Sequence, residues 1–149
     1  MSTQKKPQLE FHPIAFDAQT HVQMIEDAHV HAGFPSPVED AYMSQPIDLN
    51  RELVTHPATT YIVKVVGDSM IEEGIDEGDM LVVDRSLFPT ERSIAVCMLD
   101  GEFALKRIVQ RDGRLMLFSG NSVYPPIVVE NPADLRVWGV VQWVLKKKV

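Results

Sequence analysis

The sequence is poor in cysteine, in long apolar runs and in positive charge, and each shortage removes a class of protein. Cys97 is the only cysteine, so no internal disulfide can form, which fits a reducing compartment, the cytoplasm. It lies inside the apolar run from Ile94 to Leu99 and reads as a packed side chain rather than a nucleophile. No apolar stretch approaches the ~20 residues needed to span a bilayer. Lys5 and Lys6 are not followed by an apolar segment, so no secretory leader is expected. The net charge of −7 and a pI near 5.1 argue against a bulk electrostatic grip on DNA or RNA. Lys146, Lys147 and Lys148 read as a solvated tail. His12, His21, His29 and His31 match no closed zinc spacing and have no cysteine nearby, so neither metal nor cofactor is expected.

What remains is an ordinary globular composition, 45% hydrophobic and 23% charged over 149 residues. A chain of this length can bury about 68–70% of its unfolded surface. Its two ends differ. Six of the ten prolines fall within the first 57 residues, and four of the five histidines lie between His12 and His31. Residues 1–45 are read as a loosely attached arm and residues 46–149 as the folded domain. Within the arm, Val22, Ile25 and Ala28 recur at helical spacing and predict a short helix over 20–29. The run Gly33-Phe34-Pro35-Ser36-Pro37 is kept extended, because proline disfavours the helical region for the residue before it. The aromatic stretch LEFHPIAF, residues 9–16, faintly resembles motifs that bind a sliding clamp, but reads as an unstructured apolar patch.

From Thr60 onward, short β-rich runs alternate with turns. Strands are expected over 61–66, 80–84, 94–99, 103–109, 115–118, 127–129 and 137–145. Asp100-Gly101 and Asp112-Gly113 are hairpin signals, since a type I′ turn needs φ > 0 at both central residues. The fold class is therefore mainly β: an antiparallel sheet, strongly bent or barrel-like.

Ser69, in VVGDSMIEEG, sits between an apolar run and a glycine-marked turn without a G-x-S-x-G elbow. A serine hydroxyl needs a base within hydrogen-bond reach. His56 is the one histidine beside the β domain and precedes Pro57, which gives a Ser-His-Asp triad little support. Lys106, in EFALKRIV, shares a strand face with Ala104 and Ile108. A lysine so placed must snorkel to water, pair, or lose its proton. Lowering its pKa by about 3 units costs roughly 4 kcal/mol, which burial can supply. The residues alone leave a solvent-facing lysine and a general base both open.

VVGDSMIEEGIDEGDMLVVD resembles the nucleophile segment of the LexA/UmuD family of self-cleaving serine peptidases, which use a Ser-Lys dyad. In that family the lysine closes a DGEFxxK hairpin strand. Here DGEFALK ends at Lys106, 37 positions after Ser69. NSVYPPI (121–127), VWGVV (137–141) and GFPSP followed by DLN (48–50) match in the same order, so the likeness runs from about residue 30 to the C-terminus. A LexA-type winged helix is not expected in the short, proline-broken arm, which lacks a helix-turn-helix pattern. UmuD-like members carry a cleavable Cys-Gly or Ala-Gly bond before FPSP, and this chain reads Ala32-Gly33-Phe34-Pro35.

The resemblance thus implies a peptidase domain of the LexA C-terminal type, with cleavage between Ala32 and Gly33 leaving residues 33–149. Ala32 and Gly33 are also the smallest adjacent pair in the arm, and the chain between Gly33 and Ser69 can span over ~100 Å when extended at ~3.3 Å per residue. Neutral Lys106 would take the Ser69 proton, and backbone N–H groups of Asp68 and Ser69 would hold the oxyanion. Gly67 would turn the chain, Met70 would pack beneath it or line the cleft, and the Asp68 side chain has no catalytic role. The resemblance further implies a homodimer, triggering by a RecA filament on single-stranded DNA, and service to a Y-family translesion polymerase. Two other readings compete. A signal-peptidase-like Ser-Lys protease would need a membrane anchor or an exposed apolar surface. A non-catalytic dimerisation module, like the C-terminal domains of phage repressors that have lost cleavage, would not need Ser69, Lys106 and Ala32-Gly33 together.

Overall fold

The computed structural model describes residues 9–13, 21–25 and 43–149. These fall into two compact units, one of residues 9–13 and 56–149 and one of residues 21–25 and 43–55. In the smaller unit, β2 (His21–Ile25) pairs antiparallel with β3 (Met43–Asp48), which leads into α1 (Leu49–Leu53). The Asp48 side chain caps that helix by accepting from Asn50 N–H at 3.0 Å. The helix predicted over 20–29 is therefore corrected: residues 21–25 form a strand. Val22 and Ile25 are β-branched and suit either structure, and an isolated ten-residue helix is marginal, so pairing with β3 decides.

The larger unit is one antiparallel eight-stranded sheet. In chain order its strands are β1 (Glu10–Pro13), β4 (Thr60–Lys64), β5 (Met80–Asp84), β6 (Ala95–Leu99), β7 (Glu102–Arg111), β8 (Arg114–Phe118), β9 (Ile127–Val129) and β10 (Leu135–Leu145). Their order across the sheet is β1-β4-β5-β10-β6-β7-β8-β9, so the sheet is open, with edges at β1 and β9, rather than a closed barrel. Both Asp-Gly turns have the expected backbone, with φ of 50° and 78° at Asp100 and Gly101 and of 51° and 72° at Asp112 and Gly113.

Two long strands bend this sheet. The first half of β7 pairs with β6 and its second half with β8. Likewise β10 pairs with β6 through Val140 and with β5 from Val140 onward, with register shifts at Val137/Gly139 and Val141/Trp143. Such bulges raise local twist and re-aim the strand. Gly139 sits where a Cβ would come 2.6 Å from Val83 Cγ1, so only glycine lets β10 lie this close to β5. The core inside the bend holds Val63, Val65, Met70, Ile75, Leu81, Val83, Val96 and Leu105.

Part of the segment expected to be an unstructured patch is strand β1, which pairs along β4 with Phe11 opposite Val63. Phe11 packs edge-on against Trp138, with ring centroids 4.6 Å apart, and lies 4.8 Å from Phe103. These ring partners come from residues 103 and 138, which explains why residues 9–16 read alone gave no strand.

Candidate active site

The nucleophile candidate lies on the turn that leaves β4. Gly67, at φ +93°, reverses the chain in a region that other residues rarely adopt. Met70 is 1% exposed and belongs to the core, so it fixes the turn from below and leaves Ser69 half-buried at the rim. The roles expected of Gly67 as a turn and Met70 as packing are those the structure shows.

A second segment, Ser119 to Tyr124 after β8, is stitched to this turn. Glu72 N–H donates to the Gly120 carbonyl at 2.6 Å, and Gly120 N–H points at Met70 Sδ at 3.0 Å. Buried Asn121 donates from Nδ2 to the Asp68 carbonyl at 2.9 Å, and Tyr124 OH donates to Asp68 Oδ1 at 2.7 Å. Ser122 N–H and Oγ–H both reach the Glu72 carboxylate. Gly120 has no room for a side chain: a Cβ would stand 2.4 Å from Glu73 Cγ and 3.2 Å from Met70 Cα. Arg107 on β7 forks onto Glu73 at 2.6 and 3.1 Å and closes the far side. The Asp68 side chain is thus occupied with Tyr124. That bond, together with the Asp68 charge, raises the Tyr124 pKa and keeps the phenol a donor.

Lys106 enters from β7, opposite Ala95 on β6, and is only 9% exposed. Its strand face is thus largely closed to water, the condition that a general-base reading of Lys106 sets. Burial pushes its pKa below the ordinary 10.5, because a charged ammonium loses solvation there. Nearby Cys97 opposes this only as a thiolate, and burial pushes that thiol up to about 12, so it is neutral near pH 7. Cys97 is wholly buried, as its place in an apolar run suggested. The Lys106 hydrogen bond runs to Ser119 Oγ at 2.5 Å rather than to Ser69, and Nζ lies 6.0 Å from the centre of the Tyr124 ring. Ser119, Asn121 and Tyr124 therefore connect Lys106 to the segment that bears Ser69. Ser119 was not legible as a site residue, because its partner lies 13 positions away across a hairpin. Asn121 and Tyr124 lie inside the NSVYPPI motif but had no assigned role.

His56 is engaged elsewhere. Its Nδ1 lies 2.5 Å from Asp84 Oδ2 and 3.4 Å from Ser86 Oγ. A Ser-His-Asp relay needs the serine and the carboxylate on different ring nitrogens, so this cluster is not one. Asp84 is fully buried and also accepts from Thr59 Oγ, Ser86 N–H and Ser86 Oγ, each at 2.8 Å. Burial pushes its pKa up, but these hydrogen bonds outweigh burial and hold it at about 2. Ala32, Gly33, His29 and His31 lie outside the described residues. Among the described residues, no three His, Cys, Asp or Glu side chains gather as metal ligands, and no helix is long and apolar enough to cross a membrane.

Comparison with known proteins bears on this arrangement. The Peptidase S24-like family matches residues 23–142. Protein SamA of Salmonella typhimurium is 41% identical over 110 residues, covering 74% of this chain and 75% of that protein. Protein MucA of Escherichia coli is 39% identical over 113 residues, covering 75% and 76%. LexA repressor 2 of Pseudomonas syringae pv. tomato is 40% identical over 80 residues, covering 54% of this chain and 40% of that protein.

Proposed function

Since the chain belongs to the Peptidase S24-like family, as a UmuD-like member of the LexA/UmuD group, we propose that it is a self-cleaving serine peptidase that cuts its own Ala32-Gly33 bond. The observation that carries this reading is Lys106, a lysine placed in a nearly dry pocket with its pKa lowered by burial. A surface lysine is an ammonium at neutral pH and cannot accept a proton; a desolvated one can.

In the proposed reaction, neutral Lys106 accepts the Ser69 hydroxyl proton as Oγ attacks the Ala32 carbonyl carbon. The carbonyl π pair moves onto oxygen, and backbone N–H groups of Asp68 and Ser69 steady that charge. The tetrahedral centre collapses with cleavage of the C–N bond, and the Lys106 ammonium returns the proton to the Gly33 amine. Water, deprotonated by Lys106, then attacks the acyl ester; the C–Oγ bond breaks, the Lys106 ammonium returns its proton to Ser69 Oγ, and residues 1–32 leave with a free carboxylate on Ala32.

The wider role follows the family: cleavage stimulated by a RecA filament on single-stranded DNA after DNA damage, during the SOS response. The trimmed form, residues 33–149, then serves as a homodimeric accessory subunit of a Y-family translesion polymerase in the cytoplasm. The sliding clamp is a further candidate partner. The test is intact-mass analysis of the full chain held at alkaline pH and, separately, with RecA filament. Fragments 1–32 and 33–149, cut between Ala32 and Gly33, are expected under both conditions and none in Ser69→Ala or Lys106→Ala. An uncut wild-type chain, or cutting that persists in either variant, overturns it.

A further inference from the structure

We propose that Ser119 is a positioning residue for this reaction: its hydroxyl holds the Lys106 amino group and sets the direction of the nitrogen lone pair. The inference rests on the Ser69-Lys106 reading and adds a third side chain to it.

Lys106 Nζ ends a four-carbon stem with several rotamers, and burial alone does not choose among them. The hydrogen bond to Ser119 Oγ at 2.5 Å does choose, because it fixes one N–H direction. A neutral amine has two N–H donors and one lone pair in a tetrahedral arrangement. Holding one donor restricts where the lone pair can point.

Ser119 is itself held where this control is useful. It follows the last residue of β8, Phe118, which pairs with Arg107 beside Lys106 on β7. It precedes Gly120, whose carbonyl and N–H are both bound to the nucleophile turn, at Glu72 and Met70. The absence of Cβ space at Gly120 leaves this attachment no slack. Ser119 thus sits in a segment fixed to the lysine strand on one side and to the serine turn on the other. Its hydroxyl is the described group that couples the direction of Nζ to the position of that turn.

The hydroxyl also accepts from Lys106 when the nitrogen carries its proton, a state reached during every turnover. Removing the acceptor disfavours the ammonium, so the lysine would titrate at still lower pH. Orientation and titration therefore change together, which a purely structural role does not predict.

The experiment uses the full chain with Ser119→Ala and Ser119→Thr, scoring self-cleavage by intact mass between pH 6 and 11, with a melting curve for each variant. Ser119→Ala is expected to lower the plateau rate on the order of 10–100-fold, the scale of a misdirected catalytic group. The acid limb of its profile is expected to move to lower pH. Ser119→Thr, which keeps a hydroxyl, is expected to restore both. A Ser119→Ala chain that melts like wild type yet cleaves at the wild-type rate overturns the assignment. So does a lower rate with an unmoved acid limb, or a folded Ser119→Thr that behaves like alanine. Parallel Ser69→Ala and Lys106→Ala chains separate the two levels: if either still cleaves, the underlying reading fails; if both are inert while Ser119→Ala is normal, only Ser119 loses its role.

Discussion

Asp84 on β5 and Lys106 on β7 are two buried ionisable side chains of one sheet, in opposite circumstances. Asp84 is fully enclosed, yet Thr59, His56 and two groups of Ser86 all donate to it, and its pKa is held at about 2. Lys106 is nearly as enclosed, and its hydrogen bond is to the one hydroxyl of Ser119; its pKa moves towards the neutral form. Burial works against the charge in both. What differs is the count of partners that replace lost water: several hold Asp84 as an ion, while one leaves Lys106 shifted towards its neutral form.

The sharpest way to break this comparison is to remove each group. Lys106→Ala is expected to abolish self-cleavage, a loss on the order of 10⁴-fold or more by analogy with other essential catalytic groups, while the chain still folds. Asp84→Asn should do the reverse, costing roughly 2–4 kcal/mol of stability because donors aimed at a carboxylate lose their partner. Chemical denaturation checks the second value. A folded Asp84→Asn chain should still cleave, and failure to do so would place Asp84 in the mechanism.

Smaller effects sharpen it further. Lys106→Met should raise stability at pH 7 by about 1–2 kcal/mol, since the desolvated amine is replaced by an apolar side chain. The sign follows from linkage. A lysine titrating lower in the fold than its ordinary 10.5 leaves the unfolded chain binding more protons, so the wild type gains stability as pH rises towards that value. The gap between Lys106→Met and wild type should therefore shrink in alkali, as read from melting temperatures against pH. Asp84 works the other way. Its stabilisation is complete above the ordinary carboxyl value of 3.8 and is lost as pH falls through about 2. The difference between wild type and Asp84→Asn should fade over that window in acid denaturation.

Much of the fold was legible because the local chemistry decides it. Asp100-Gly101 and Asp112-Gly113 can hardly be anything but tight hairpins, and the observed runs 80–84 and 127–129 coincide with the expected strands. Residues 21–25 were not legible, since Val22 and Ile25 stand at helical spacing, and only pairing with β3, with its register shift between Gln23 and Ile25, selects the strand. Strand β1 and its aromatic contacts depend on Tyr61–Lys64, Phe103 and Trp138, all distant in sequence. At the site, Ser69 and Lys106 were visible through their spacing and motifs. The burial of Lys106, its bond to Ser119 and the engagement of His56 with Asp84 come from tertiary contacts that no short window contains.

The proposed role of Lys106 as proton acceptor requires that the fold keep its amine from water. It is tested most directly by titrating the Lys106 side chain, through its ¹³Cε resonance in the folded Ser69→Ala protein, with Lys106→Met identifying the signal. The expected midpoint lies below 10.5 and coincides with the acid limb of the wild-type cleavage profile. A midpoint at or above 10.5 would contradict that role.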